Sequence, residues 1–223
     1  MSLVRLRASA LDPPAFATFR EAAPVVAALG LAAVPLWRWH PLAGLVAMAA
    51  AGCCAAFFRD PVRQSVSERD VVYAPADGSI IGLDWVERPW YLERPAHRVS
   101  VFLSLFDVHV NRSPAAGRIV AVRDLGGGFA PAMSFQRSHG NRRREIALET
   151  ERGPLLLVQV AGVLARRIVG WVGQGEEVVA GQKLGMITFG SRTDLLIPVG
   201  SGAPVVMPGE RVLGGQTPVA RWL

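Results

Sequence analysis

Cysteine, histidine and nucleotide-binding glycine motifs are scarce or missing in this sequence of 223 residues. Its two cysteines, Cys53 and Cys54, are adjacent, so they cannot close an unstrained disulfide with each other. Two thiolates are also too few for a four-ligand zinc site. The four histidines form no H-x-H or H-x-x-x-H pair, which argues against a zinc peptidase. We therefore expect no metal site, and the absence of P-loop and G-x-G-x-x-G motifs argues against a nucleotide site.

Lysine is almost absent as well. Lys183 is the single lysine among 24 basic residues, and the formal net charge is +6. Arginine presents a rigid fork that suits phosphate and carboxylate groups, so the composition is compatible with an anionic partner. An arginine-rich genome would produce the same composition, so the charge alone does not decide between these explanations.

Two apolar runs at residues 22–37 and 41–58 predict a helical hairpin at the amino terminus. Each run is at or below the roughly 20 residues that cross a bilayer core, so the hairpin either spans the membrane or dips into one leaflet. Arginines flank both outer ends, which predicts that both ends are cytoplasmic. We expect residues 1–63 to form a membrane-associated segment without a removable signal peptide. The alternative is a buried helical hairpin in a soluble core.

The body, residues 64–223, consists of short apolar runs separated by glycine turns, which predicts a mainly β domain. The pattern G-x-x-V-x-x-G-Q occurs at 175–182 and again at 209–216. This repeat resembles the hammerhead element of lipoyl and biotinyl barrel-sandwich domains. We therefore expect a barrel-sandwich-hybrid-like β domain behind the helical hairpin, a fold that by itself implies no activity. A strand is predicted over Lys183–Phe189 and the next one from Asp194, with a Gly-Ser turn between them.

A Gly-Ser pair at a strand end is common and alone means little. Five segments in this order, however, resemble the phosphatidylserine decarboxylase proenzymes of the short prokaryotic type. The segments are FFRDPVR at 57–63, APADG at 74–78, FLSLFDVHVNRSP at 102–114, AGVLARRIV at 161–169 and GMITFGSRTD at 185–194.

The resemblance implies that the chain cuts itself between Gly190 and Ser191 into chains 1–190 and 191–223, which stay together as a heterodimer. Ser191 would become a pyruvoyl group, the covalent cofactor that forms a Schiff base with the substrate. Asp77 and His109 match the aspartate and histidine of the family's self-cleavage triad. Such an enzyme converts phosphatidylserine to phosphatidylethanolamine and CO2 in phospholipid biosynthesis.

The expected partners are therefore phosphatidylserine and anionic membrane lipid at the cytoplasmic face of the cell membrane, and not nucleic acid; higher oligomers are left open. Arg166 and Arg167 are candidates for binding the head-group phosphate, although adjacent strand residues point to opposite faces, so at most one would face the site. Two alternatives are a non-enzymatic, membrane-tethered barrel-sandwich adaptor and a decarboxylase of an ether-linked phosphoserine lipid.

Overall fold

The computed structural model describes residues 17–63, 68–163, 167–188 and 190–223. It divides the described chain into two compact units, a helical unit that ends at Val62 and a β unit that begins at Arg63.

The helical unit is a pair of apolar helices, α1 (Ala17–Trp39) and α2 (Pro41–Phe57). They are separated at His40, whose backbone is extended, and Pro41 occupies the first turn of α2, where its missing N–H costs nothing. Gly44 lies so close to α1 that an added Cβ would be 2.7 Å from the Trp37 Cα. The hairpin predicted from the two apolar runs is confirmed. With 23 residues, α1 is long and apolar enough to cross a membrane, whereas α2 is shorter.

The β unit contains fourteen strands among the described residues. They are β1 (Val71–Tyr73), β2 (Gly78–Val86), β3 (Ala96–Leu103), β4 (Val110–Arg112), β5 (Gly117–Leu125), β6 (Arg143–Thr150), β7 (Gly153–Ala161), β8 (Ile168–Gly170), β9 (Glu177–Val178), β10 (Lys183–Ile187), β11 (Ser191–Pro198), β12 (Gly202–Pro204), β13 (Arg211–Val212) and β14 (Pro218–Trp222).

Eight of these strands form one antiparallel sheet in the order β13-β2-β3-β11-β7-β6-β5-β9. Two three-stranded sheets, β1-β14-β12 and β4-β10-β8, complete the unit. The large sheet wraps around the main core, because Val212 at one edge and Val178 at the other belong to the same apolar cluster. The expected mainly β fold class with an apolar helical start is confirmed.

The two copies of the G-x-x-V-x-x-G-Q pattern, which are 34 residues apart, correspond to two equivalent edge strands. Val178 of β9 pairs with Gly117 of β5, and Val212 of β13 pairs with Gly78 of β2. Four glycines of the repeat have φ between 71° and 94°, a left-handed conformation in which a side chain would be strained: Gly175, Gly181, Gly209 and Gly215.

A second internal repeat precedes these edge strands. The segment APADGSI at 74–80 matches SPAAGRI at 113–119, and the two occupy equivalent places ahead of β2 and β5. Asp77 therefore corresponds to Ala116. One half of the unit carries a carboxylate at a position where the other half has a methyl group.

Two predicted strand boundaries are wrong. The strand expected to begin at Asp194 begins at Ser191, and the strand expected to end at Phe189 ends at Ile187. The residues Ser191, Arg192 and Thr193 look like a turn because they are polar. They form a central strand because β3 and β7 pair with them on both sides, and buried polar partners meet the side chains of Arg192 and Thr193.

Candidate active site

Ser191 is the first residue of β11 and is completely buried. It lies opposite Leu103 of β3 and Ala161 of β7. Its Oγ has no hydrogen-bond partner among the described residues. Leaving a buried hydroxyl unpaired costs about 1–3 kcal/mol, so such a group in a well-paired sheet calls for a functional explanation.

Gly190, directly before this serine, has a φ of 66°. That left-handed conformation costs a non-glycine residue roughly 1–2 kcal/mol. The glycine turns the chain between β10 in one sheet and β11 in another. The Gly190–Ser191 peptide bond therefore lies at a sharp change of direction, with a buried hydroxyl immediately after it.

His109 is buried, and its ring lies beside the backbone N–H of Gly190. Its Nδ1 lies 2.9 Å from the backbone oxygen of Asp107. Because a carbonyl oxygen can only accept, Nδ1 carries the proton and Nε2 of the neutral ring has the lone pair. The Gly190 N–H donates to this Nε2 at 3.3 Å. The structure thus brings the basic nitrogen of His109 to the N–H of Gly190, the residue whose carbonyl precedes Ser191, while no hydrogen bond joins His109 to Ser191 Oγ among the described residues.

Asp107 was not singled out from the sequence, yet its loop positions His109. Its carboxylate accepts the Ser104 N–H at 2.8 Å and the Ser104 hydroxyl at 2.6 Å, and the Arg211 guanidinium donates to it at 2.5 Å. Burial raises the pKa of Asp107, but the hydrogen bonds from Ser104 and Arg211 outweigh it and hold that pKa below its ordinary value. The Ser-x-x-Asp spacing of a side-chain-capped turn is the signal that could have identified it.

Asp77 is buried in a different set of contacts. Arg63 donates to both carboxylate oxygens at 2.5 Å, and the Gly214 N–H donates to Oδ1 at 2.8 Å. Arg63 also donates to the Gly214 backbone oxygen at 2.7 Å. In this structure, Asp77 and His109 therefore have separate partners: the carboxylate binds Arg63, and the imidazole is oriented by a backbone carbonyl.

A chain of buried amides and a hydroxyl lies near Ser191 without bonding to its Oγ. Thr193 lies on the same face of β11, and its Oγ1 accepts a hydrogen bond from Asn111 Nδ2 at 2.9 Å. Gln159 Nε2 donates to Asn111 Oδ1 at 2.6 Å. Farther along the same face, Leu195 and Ile197 belong to the apolar core. On this face of β11, the polar side chains are therefore at the end where Ser191 lies.

The segment 126–142 borders the same end of the sheet. The Arg192 guanidinium donates to the Ala132 oxygen at 2.7 Å and to Ser138 Oγ at 3.0 Å, and it pairs with Asp194 at 2.8 Å. Its carbon lies 4.5 Å from the centre of the Phe135 ring. The residue next to Ser191 thereby attaches this segment to β11.

The two candidate phosphate-binding arginines are less informative. Arg166 lies outside the described residues. Arg167 is exposed, and its backbone oxygen accepts the N–H and the hydroxyl of Thr188 at 3.2 Å. Thr188 is two residues before Gly190, so Arg167 lies beside the site. Arg167 is outside β8, which begins at Ile168. Among the described residues, no group of three His, Cys, Asp or Glu side chains is arranged to hold a metal ion.

A family model for phosphatidylserine decarboxylase matches residues 50–220 of this chain. The chain belongs to the phosphatidylserine decarboxylase family. The match covers the whole described site, from Arg63 through Ser191 to Gly214. Membership implies decarboxylation of phosphatidylserine, and it favours this enzyme over the non-enzymatic adaptor considered from the sequence.

Proposed function

We propose that this protein is a self-processing, pyruvoyl-dependent phosphatidylserine decarboxylase of the short prokaryotic type, which produces phosphatidylethanolamine in phospholipid biosynthesis at the cytoplasmic face of the cell membrane. The observation that carries the proposal is the buried, unpartnered Oγ of Ser191 beside the left-handed Gly190, whose N–H faces His109 Nε2.

In the first step, Ser191 Oγ attacks the carbonyl carbon of Gly190. A serine hydroxyl is a weak nucleophile until a base takes its proton, and His109 Nε2 is the base at this bond. The proton returns to the departing amine as the Gly190–Ser191 C–N bond breaks. The product is an ester in place of the amide. The exchange is uphill for a relaxed chain, and a strained turn or donors to the oxyanion can offset part of that cost.

In the second step, loss of the Ser191 Cα proton expels the Gly190 carboxylate and leaves dehydroalanine at position 191. Its imine tautomer adds water and releases ammonia, which leaves a pyruvoyl group at the start of chain 191–223. The surroundings fit this group, because residue 191 is held on both sides by strands and its side-chain atom has no competing partner. When formed, the group supplies a ketone for the substrate amine and an electron sink for the pair released with CO2.

Asp77 enters the proposal as a processing residue through its match to the family's triad. In the precursor, Asp77 holds Arg63 and the Gly214 backbone by buried hydrogen bonds. Removing its charge would leave Arg63 buried without its counter-ion, which is strongly destabilising at buried sites. The Asp77→Asn variant is therefore expected to impair processing before any effect on decarboxylation is seen.

The proposal is tested by intact-mass measurement of the purified protein together with CO2 release from carboxyl-labelled phosphatidylserine in mixed micelles. We expect two chains, 1–190 and 191–223, the second bearing a carbonyl that borohydride reduces. An intact chain with unmodified Ser191 that still releases CO2 would refute the mechanism. Two chains without CO2 release would refute the substrate and leave the self-cleavage intact.

A further inference from the structure

Gly162 follows the last residue of β7 and lies against the peptide bond that we propose is cut. A Cβ added to Gly162 would be 2.2 Å from the Gly190 carbonyl oxygen and 3.2 Å from the Gly190 carbonyl carbon. It would also be 3.5 Å from the Ala132 Cβ. The Gly190 carbonyl oxygen therefore occupies the place where any other residue at position 162 would have its side chain.

The pairing of the strands explains this close approach. The β7–β11 ladder ends at the pair of Ser191 and Ala161, so the next pair would join Gly190 to Gly162. The Ala161 N–H donates to the Arg142 oxygen, on the side away from β11. Among the described residues no backbone hydrogen bond joins Gly162 to Gly190, so the ladder stops one pair earlier and the Gly190 oxygen lies against the bare Cα of Gly162.

We propose that Gly162 is a positioning residue for self-cleavage: its missing side chain leaves the space in which the Gly190 oxygen becomes an oxyanion. The inference rests on the proposed self-cleavage. As the Oγ–C bond forms, the carbonyl electron pair moves onto the oxygen and the Oγ proton passes to His109 Nε2. Collapse of this species returns the electron pair and breaks the C–N bond. The negative charge exists only between these steps, so a side chain at position 162 that displaces the oxygen would slow this reaction in particular.

Gly117 of the same sheet also lies against a backbone oxygen, so it provides a control for the steric effect of an added side chain. A Cβ on Gly117 would be 2.2 Å from the Glu149 oxygen, the same steric conflict in β5, away from Ser191. Neither Gly162 nor Gly117 has a positive φ, so alanine at either position meets the same kind of obstacle. A purely structural role for Gly162 therefore predicts the same outcome for both substitutions.

The experiment follows self-cleavage of the full chain during cell-free translation, by denaturing gel and intact mass, for the wild type, Gly162→Ala and Gly117→Ala. Stability is measured separately with each substitution in a Ser191→Ala background, so that all proteins compared are uncut. We expect Gly162→Ala to cleave at least tenfold more slowly than Gly117→Ala, with comparable losses of stability.

Equal cleavage rates for the two variants would overturn the role of Gly162. So would loss of the fold in Gly162→Ala/Ser191→Ala when Gly117→Ala/Ser191→Ala stays folded, because the residue would then be structural. A wild-type chain that does not cleave would instead refute the proposed function itself.

Discussion

At the scale of single residues, the chemistry depends on which nitrogen of His109 has the proton. The Asp107 carbonyl decides this, because it can only accept a hydrogen bond and so keeps the proton on Nδ1. Nε2 is then available as a base beside Gly190. A backbone oxygen thus performs here the orienting role that a carboxylate performs in many serine-histidine-aspartate sites.

The first prediction concerns Ser191. Ser191→Ala removes the attacking oxygen, so the chain should remain a single uncut band and release no CO2. Ser100→Ala is a matched control, because Ser100 is also fully buried with an unpartnered Oγ, in the neighbouring strand β3. That variant should process normally. Cleavage of Ser191→Ala at the same bond would remove the serine from the mechanism.

The second prediction concerns His109. His109→Ala removes the base, and we expect processing to slow by about 10²- to 10⁴-fold, the usual contribution of general base catalysis. His139→Ala is the control, since His139 is exposed in the 3-10 turn Arg137–Gly140. The rate is measured by pulse-chase and denaturing gel. A His109→Ala chain that processes as fast as the control would contradict the assignment of the base.

At the scale of elements, the loop 104–109 connects β3 to β4 and contains His109. Asp107 ties this loop to Ser104 and to Arg211 of β13. The loop is therefore held from within by Ser104 and from a distant part of the chain by Arg211. A substitution at Asp107 can therefore displace His109 without changing His109 or Ser191 themselves.

The third prediction tests this loop through pH. The pKa of Asp107 is lower in the folded protein than its ordinary value. Its stabilisation is therefore complete above the unfolded pKa, near pH 4, and is lost as the pH falls through the folded value. In a Ser191→Ala background, Asp107→Asn should lower the free energy of unfolding by about 1–3 kcal/mol at pH 7. The difference from the parent should shrink as the pH falls below about 4.

Denaturant unfolding at a series of pH values measures this difference. Asp84→Asn is the control, because Asp84 pairs with Arg98 on an exposed part of β2 and such pairs contribute little. A difference between Asp107→Asn and its parent that stays constant down to pH 3 would show that the Asp107 charge does not stabilise the fold.

At the scale of the whole molecule, the segment after the proposed cleavage site is built into the centre of the fold. β11 pairs with β3 over eight residues and with β7 over six. β14, near the end of the chain, pairs with β1 and β12. Cutting one peptide bond removes none of these pairings.

The fourth prediction follows from this topology. After self-cleavage, chains 1–190 and 191–223 should co-elute in size-exclusion chromatography in non-denaturing detergent buffer and separate only in denaturant. Native and denaturing mass spectrometry measure this directly. Release of chain 191–223 in native buffer would mean that β11 is not held as the structure describes. The uncut Ser191→Ala protein gives the reference elution volume.

The amino-acid sequence alone determined the helical hairpin, the β-rich body, the glycine repeat and the pair Gly190–Ser191. These features depend on local composition, on periodicity and on glycine's access to positive φ, which can all be read from neighbouring residues. Motif order added the expected chemistry at Ser191 and the candidates His109 and Asp77. Within each motif, these inferences use residues that are close together in the chain.

Only the tertiary structure decided that Ser191 begins a central strand, that Asp77 pairs with Arg63, and that Gly162 makes room for the Gly190 oxygen. It also revealed the buried chain that runs from Gln159 through Asn111 to Thr193. These contacts join residues 14 to 82 positions apart, and strand register is what brings them together. Register depends on how the whole sheet packs, so no local pattern could have predicted them.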